Sequence, residues 1–283
     1  MAGWRETLQQ RRPVVLAAGM IAALLVSVGV AAWLTVSRQQ SRSKAVEILQ
    51  HVRRQRLEAF WPRQREVAWY LRRARDGQAV GWEMEERVPT PTGYAGKRVI
   101  QLGSGVAREV WSVSANASAG RYHAETAAIV QPSPDGPSLL ATNSSTRIEL
   151  QSGRVDVRRE DRRKIGHGAA EAPENYIPEG LHLLVYYLAA AGQREANFVT
   201  ILNEEAILGS EVHFSWVQVV PEGRRRARVY GARQESVLDF DEGGRLLRRE
   251  IPEDDAYYQR VSLETIVKVF PGAPLLAERS LRE

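Results

Sequence analysis

Residues 81–114 read GWEMEERVPTPTGYAGKRVIQLGSGVAREVWSVS, and their pattern decides the fold. From about Gly81, short runs of alternating apolar and polar residues sit between Gly, Pro, Asn and Asp clusters. That is the signature of antiparallel strands joined by turns. The pattern predicts strands over 81–88, 97–102, 106–114, 120–130, 138–142, 145–150 and 153–159. The segment Pro132-Ser-Pro-Asp-Gly-Pro137 reads as a loop and Gln151-Ser-Gly153 as a tight turn. A polar connection is expected over 160–178.

A helix is expected from Pro178 to about Ala191, with Pro in its first turn and Gly192 at its stop. Leu181, Leu184, Val185 and Leu188 give it one apolar face. Strands are expected again over 196–202, 206–219, 225–231, 234–241, 244–250 and 257–262. In 206–219, Val212, Phe214 and Trp216 share one face while Val217 and Val219 share the other. That run is therefore expected to cross the centre of a sheet. The layout is mainly β (α+β), with strands, a central helix and more strands. A long antiparallel sheet must curl to bury a face, and a helix can fill its open side. The expectation is a curved antiparallel sheet, a half-barrel with a central packing helix, over residues 77–270, followed by a C-terminal tail over 271–283.

Toward the N-terminus the period changes. After a short basic tail, 1–13, the residues from Val14 to Val36 carry no charge. A helix of that length spans about 34 Å, enough for a hydrocarbon core of roughly 30 Å. Residues 14–36 are therefore expected to be a transmembrane helix, with Trp33 near one interface. A cleaved signal peptide remains an alternative, although secretory apolar cores run shorter. Counted plainly, the flanking Arg and Lys residues favour a cytoplasmic C-terminus. A first apolar segment after a short basic tail usually exports the chain beyond it, and export is the expectation here, placing the domain outside the cytoplasm in a cell envelope.

Residues 37–76 are expected to form a basic amphipathic helical stem, interrupted at Pro62. Ala45, Ile48, Leu49 and Val52 follow helical spacing, and Leu57, Phe60, Trp61, Val67, Ala68 and Leu71 continue the stripe. Two roles are open. The stem can lie on anionic headgroups, with Arg53, Arg54 and Arg56 outward and Phe60 and Trp61 inserted. It can equally pack on the β domain with a solvated Arg face.

Charge and composition exclude several classes. The net charge is +5, but residues 1–76 hold 14 basic and 5 acidic side chains, so the remainder is net acidic at −4. A nucleic-acid-binding domain would carry its excess on the folded part, so no nucleic acid partner is expected. The chain has no cysteine, which excludes disulfides and thiolate metal sites.

Motifs of chemistry are weak. Asp239 to Glu250 has Asp at loop positions 1 and 3, Gly at 6 and Glu at 12, as a calcium loop does. Gly243 at position 5 offers no oxygen and Pro252 follows at once, so the bland reading is a hairpin turning at Asp241-Glu-Gly-Gly244. The five histidines make no paired metal spacing, and there is no GxSxG, GxGxxG or P-loop pattern. No catalytic residue, metal or cofactor is assigned from sequence, and oligomeric state is not readable.

The layout resembles the curved-sheet-with-helix folds of bacterial envelope proteins of the LolA/LolB type. The residues that prompt it are Tyr176-Ile-Pro-Glu-Gly180 with the helix after it, and the late hairpin Asp239-Phe-Asp-Glu-Gly-Gly-Arg-Leu-Leu247. The chain departs from LolA, which is soluble, and from LolB, which is anchored by lipid on a Cys. The strand–helix–strand layout and the absence of catalytic motifs lead to the expectation of a non-enzymatic domain that binds an apolar ligand or a partner protein on the concave face. Trp82, Trp111, Phe198, Phe214 and Trp216 are the candidate lining residues, and equally good core residues. A structural or assembly subunit of an envelope complex is the alternative, and a hydrolase with a scattered site a remote one.

Overall fold

The computed structural model describes residues 3–282 apart from 134, 135, 162, 163, 209, 210 and 233. Side chains are described from residue 24 on, except 25, 34, 128–143, 162–164, 204, 209, 210, 233 and 281–282. Helix α1 runs from Gly3 to Gln55. Strands β1–β8 come next: Glu66–Ala74, Ala79–Thr90, Gly93–Leu102, Gly105–Ser114, Gly120–Ser133, Gly136–Gln151, Arg154–Asp161 and Lys164–Glu171. Helix α2 is His182–Ala191. Then come β9 (Ala196–Thr200), the short hairpin β10 (Ile207–Leu208) and β11 (Glu211–Val212), and β12–β16 (Ser215–Gly223, Arg226–Tyr230, Glu235–Phe240, Leu246–Ile251, Ala256–Val261). Helices α3 (Leu263–Val269) and α4 (Ala273–Arg282) end the chain.

Fourteen of these strands make one curved, antiparallel sheet that does not close, in the order β8-β7-β6-β5-β4-β3-β2-β1-β16-β15-β14-β13-β12-β9. The first strand lies in the middle. The chain meanders out to β8, crosses by α2 to the opposite edge at β9, and meanders back until β16 pairs with β1, Tyr70 opposite Arg260. The segment after β8 reaches the β9 edge: Val199 N donates to Asn175 O at 2.9 Å and Ile177 N to Val199 O at 2.8 Å. The β9 edge is thereby hydrogen-bonded rather than left as a template for another chain.

Each face of the sheet has its own core. On the inner face, where α2 lies, Leu184, Val185 and Ala189 pack with Phe198, Val217, Val219, Val229 and Leu238. Helix α1 joins the same core through Ala45, Ile48, Leu49 and Val52, all buried. The spacing read from the stem is thus a packing face on the domain. Arg194 to Glu47 at 3.1 Å and Ser41 to Glu195 at 3.2 Å fasten its rim. On the outer face Leu71, Trp82, Met84, Val99 and Val106 are covered by Ile266 of α3 and Leu276 and Ala277 of α4.

The structure departs from the sequence expectation in definite places. The stem is not helical to residue 76: α1 ends at Gln55, where Arg56 takes a left-handed φ of 63°, and residues 66–74 form β1. The run 160–178 is not simply a connection, since β8 occupies 164–171. The run 206–219 is not one central strand. It breaks into β10, β11 and β12, and β12 sits beside the edge strand β9. Residues 271–283 are not a tail but largely helix α4, with Ala273, Leu276, Ala277 and Ser280 buried. The central helix starts at His182, after a turn through Pro178–Leu181, although it stops at Gly192 as expected.

The expected span Val14–Val36 lies in large part outside the residues whose side chains are described. Among the described residues no helix is long and apolar enough to cross a membrane. Leu24, Val26, Val28, Val30, Trp33 and Val36 are exposed, between 51% and 68%.

Candidate functional site

Between α2 and the inner face lies a cavity of about 1170 Å³. Its two walls differ. Leu183, Leu184 and Leu188 of α2 face Val217, Val229 and Leu238 on one side. Glu66, Tyr70, Glu85, Arg87, Arg98, Glu109, Arg249 and Arg260, from β1–β4, β15 and β16, line the other. Phe60, Trp61 and Trp111 line it as well.

The charged wall follows from strand alternation. In β2, Trp82 and Met84 point outward into the α3–α4 core, so Glu83, Glu85 and Arg87 point inward. Glu83 is 1% exposed and accepts from Arg98 through Nε and Nη2, each at 2.9 Å, and from Arg249 Nη2 at 2.6 Å. Burial pushes its carboxyl up, but Arg249 and Arg98 outweigh that and hold it at about 2. Arg98 also reaches Glu109 at 3.3 Å and Glu85 at 3.7 Å. Burial, with Glu83 beside it, raises the Glu85 carboxyl toward neutrality. Arg249 lies 4.2 Å over the Tyr258 ring.

Glu179 sits on the turn into α2 and is 9% exposed. Its oxygens accept from Tyr176 OH at 3.1 and 3.3 Å. Burial, aided by Glu109, pushes its carboxyl up to about 7. Two glycines make room there. Gly180, at φ +85°, and Gly96 hold the Trp111 indole between them, and a Cβ at either would fall within 2.4 Å of the ring. His182 Nε2 lies 3.1 Å from Thr200 Oγ1, and the imidazole stacks on Tyr186 at 6.0 Å. Burial, with Arg98 nearby, lowers it to about 4, so it is neutral at ordinary pH.

At the mouth, three arginines converge on one carboxylate. Arg87 reaches Glu66 at 2.5 Å, Arg245 at 2.7 Å and Arg260 at 3.6 Å. Arg87 also lies 4.4 Å over the Trp61 ring. Trp61 in turn meets Tyr94 edge-on at 5.1 Å and Trp111 at 5.9 Å.

Of the five candidate lining residues, only Trp111 lines the cavity. Trp82 is on the outer face and Phe198 is fully buried core. Phe214 packs edge-on to Tyr176 at 6.0 Å, and Trp216 is 54% exposed on β12. Of the candidate membrane-surface residues, Phe60 and Trp61 line the cavity, Trp61 at 7% exposure, and only Arg53, Arg54 and Arg56 face solvent. The stripe is turned to the domain. The calcium-like loop is a hairpin turn whose Asp241 Oδ1 accepts from Gly243 N at 2.9 Å and Arg245 N at 2.8 Å. Among the described residues no cluster of His, Asp and Glu is arranged to hold a metal.

Sequence reasoning missed Glu83, Glu85, Arg98, Glu179 and Arg249. A signal existed for two of them: a strand with Trp82 and Met84 on one face places Glu83 and Glu85 together on the other. Chemically the cavity offers an apolar wall, fixed guanidiniums and two carboxyls, Glu85 and Glu179, whose burial favours the protonated form. No family model, no curated protein and no solved structure matches this chain. The LolA/LolB-type resemblance therefore stands on layout alone.

Proposed function

We propose that this chain is a membrane-tethered, non-enzymatic binding domain whose half-barrel takes an elongated ligand with an apolar part between α2 and the inner face. The cavity of about 1170 Å³ carries the reading: a sheet packed solidly onto α2 would hold no ligand, and pockets for small molecules are typically about 300–1,000 Å³. Tethering rests on the uncharged run Val14–Val36 and on the six exposed apolar side chains between Leu24 and Val36. In this reading the domain lies outside the cytoplasm, in the envelope.

Trp61 and Trp111 report occupancy directly. The full chain in lipid nanodiscs is titrated with 11-bromoundecanol, whose bromine quenches indole on contact. Saturable quenching, largely removed in Trp61→Phe/Trp111→Phe, is expected. Quenching that rises without saturation and is the same in that variant would sink the binding reading. A reporter fused after Glu283 tests orientation, and cytoplasmic reporter activity would overturn the extracytoplasmic placement.

A second reading, an assembly subunit, is favoured by one observation: Leu263, Val267 and Val269 of α3 and Leu275 of α4 are exposed, each 39–46%. A monodisperse chain that crosslinks to no neighbour in native membranes counts against it.

A further inference from the structure

The charge at the cavity mouth says what head group the ligand carries. Glu66 is answered by Arg87, Arg245 and Arg260 together, at 2.5, 2.7 and 3.6 Å. Asp241 also pairs with Arg245 at 4.0 Å, so three guanidiniums stand against two carboxylates and the cluster is left one charge positive. Three guanidiniums bring about fifteen N–H donors, against roughly eight acceptor sites on the two carboxylates. The next layer does not cancel this excess. There Arg98 and Arg249 are shared among Glu83, Glu85 and Glu109, and burial favours the neutral form of Glu85.

The placement is equally specific. Glu66 and Arg87 are opposite each other on β1 and β2, Arg260 stands on β16, and Arg245 closes the group from the β14–β15 turn. That turn is pinned from within the cavity, where Tyr187 OH donates to Glu242 O at 2.8 Å. Arg245 keeps 48% side-chain exposure and Arg260 26%, so both remain reachable. Planar guanidiniums with fixed partners suit carboxylate and phosphate oxygens.

We infer that the arginines around Glu66 form an anion-binding mouth, and that the ligand is an anionic amphiphile whose carboxylate or phosphate head sits there while its chain enters the apolar side. This rests on the binding reading above and names its ligand class.

The test uses the full chain in nanodiscs of zwitterionic lipid, with probes of equal chain length: decanoate, decyl phosphate and uncharged decanol, plus inorganic phosphate alone. Binding is read by calorimetry and by the fluorescence of the cavity tryptophans. Decanoate and decyl phosphate are expected to bind about tenfold more tightly than decanol. Arg245→Gln and Arg260→Gln should each bring the ratio of decanoate to decanol affinity most of the way to one. The advantage should also shrink with added salt. Decanol binding as tightly as decanoate would overturn the anion assignment and leave the binding reading standing. Failure of every amphiphile would remove both. Inorganic phosphate binding as tightly as decyl phosphate would make this a free-anion site and overturn the amphiphile.

Discussion

Replacing Glu179 with Gln should make the protein more stable at alkaline pH, an unusual outcome for a buried site. The folded carboxyl titrates at about 7 against an ordinary 4.5, because burial disfavours its charge and Glu109 adds to that. As pH rises past 4.5, the unfolded chain gives up this proton while the folded chain keeps it. The folded state then binds more protons, so stability falls with rising pH, from about 4.5 until the folded group ionises near 7. The loss over that window is about 3 kcal/mol, since each tenfold change in proton affinity is worth about 1.4 kcal/mol. Gln cannot ionise, yet its carbonyl still accepts from Tyr176 OH. Variant and parent should therefore match at pH 4.5, and at pH 8 the variant should melt higher by roughly 10 °C. Glu85 titrates in the same direction and Glu83 in the opposite one, its stabilisation fading as pH falls toward 2, but both are common to the two proteins. Thermal unfolding followed by tryptophan fluorescence at both pH values gives the difference. Parallel pH profiles for parent and variant would refute the reasoning, for they would mean that Glu179 is already ionised in the folded state.

Gly180→Ala should cost about 2–4 kcal/mol, because the new Cβ meets the Trp111 ring at 2.4 Å and the backbone stays left-handed at φ +85°; a drop in melting temperature too small to resolve would mean that Trp111 is not wedged there. Leu276→Ala removes a fully buried contact between α4 and the Trp82 face, and should cost about 2–5 kcal/mol with a red shift in tryptophan emission. If Leu276→Ala changes neither, α4 is not the outer cover of the sheet.

Where periodicity ran long enough, the sequence told the truth about the elements. The stripe Ala45, Ile48, Leu49 and Val52 is the buried side of α1, and the hairpin at Asp241–Gly244 turns as its residues require. Failures came from short runs in which two periods fit. Val67, Ala68 and Leu71 read as a helical stripe, but they lie on β1, where Ala68 is buried on the inner face and Leu71 on the outer. Strand β8, KIGHGAAE, carries almost no β-propensity and is held by its register with β7 rather than by its own residues. The C-terminal helix is legible in its spacing: Ala273, Leu276, Ala277 and Ser280 stand at i, i+3, i+4 and i+7, with Pro274 in the first turn. Ser262, whose Oγ accepts from Thr265 N at 3.2 Å, marked the start of α3 in the same way. Alternation shows that a strand has two faces but not which one encloses a cavity. Trp82, a candidate for the lining and for the core alike, is core beneath α3 and α4.

The polarity of the sheet reverses along its width, and that reversal makes the cavity two-sided. In the middle strands the inner face carries Glu66, Glu83, Glu85, Arg98, Arg249 and Arg260 while the outer face carries Leu71, Trp82, Met84 and Val99, so the centre needs a cover on its outside, which α3 and α4 provide. Toward β9 the inner face carries Phe198, Val217, Val219 and Val229 while Arg226 and Arg228 face outward, so that end needs its cover on the inside, which α1 and α2 provide. The cavity lies at the seam between these regimes, with one wall from each. A purely apolar ligand would leave the guanidiniums of the central wall facing hydrocarbon, and a fully polar one would gain nothing from the α2 wall. A molecule with both parts answers both walls at once, which is why the head group and the chain have to be tested separately.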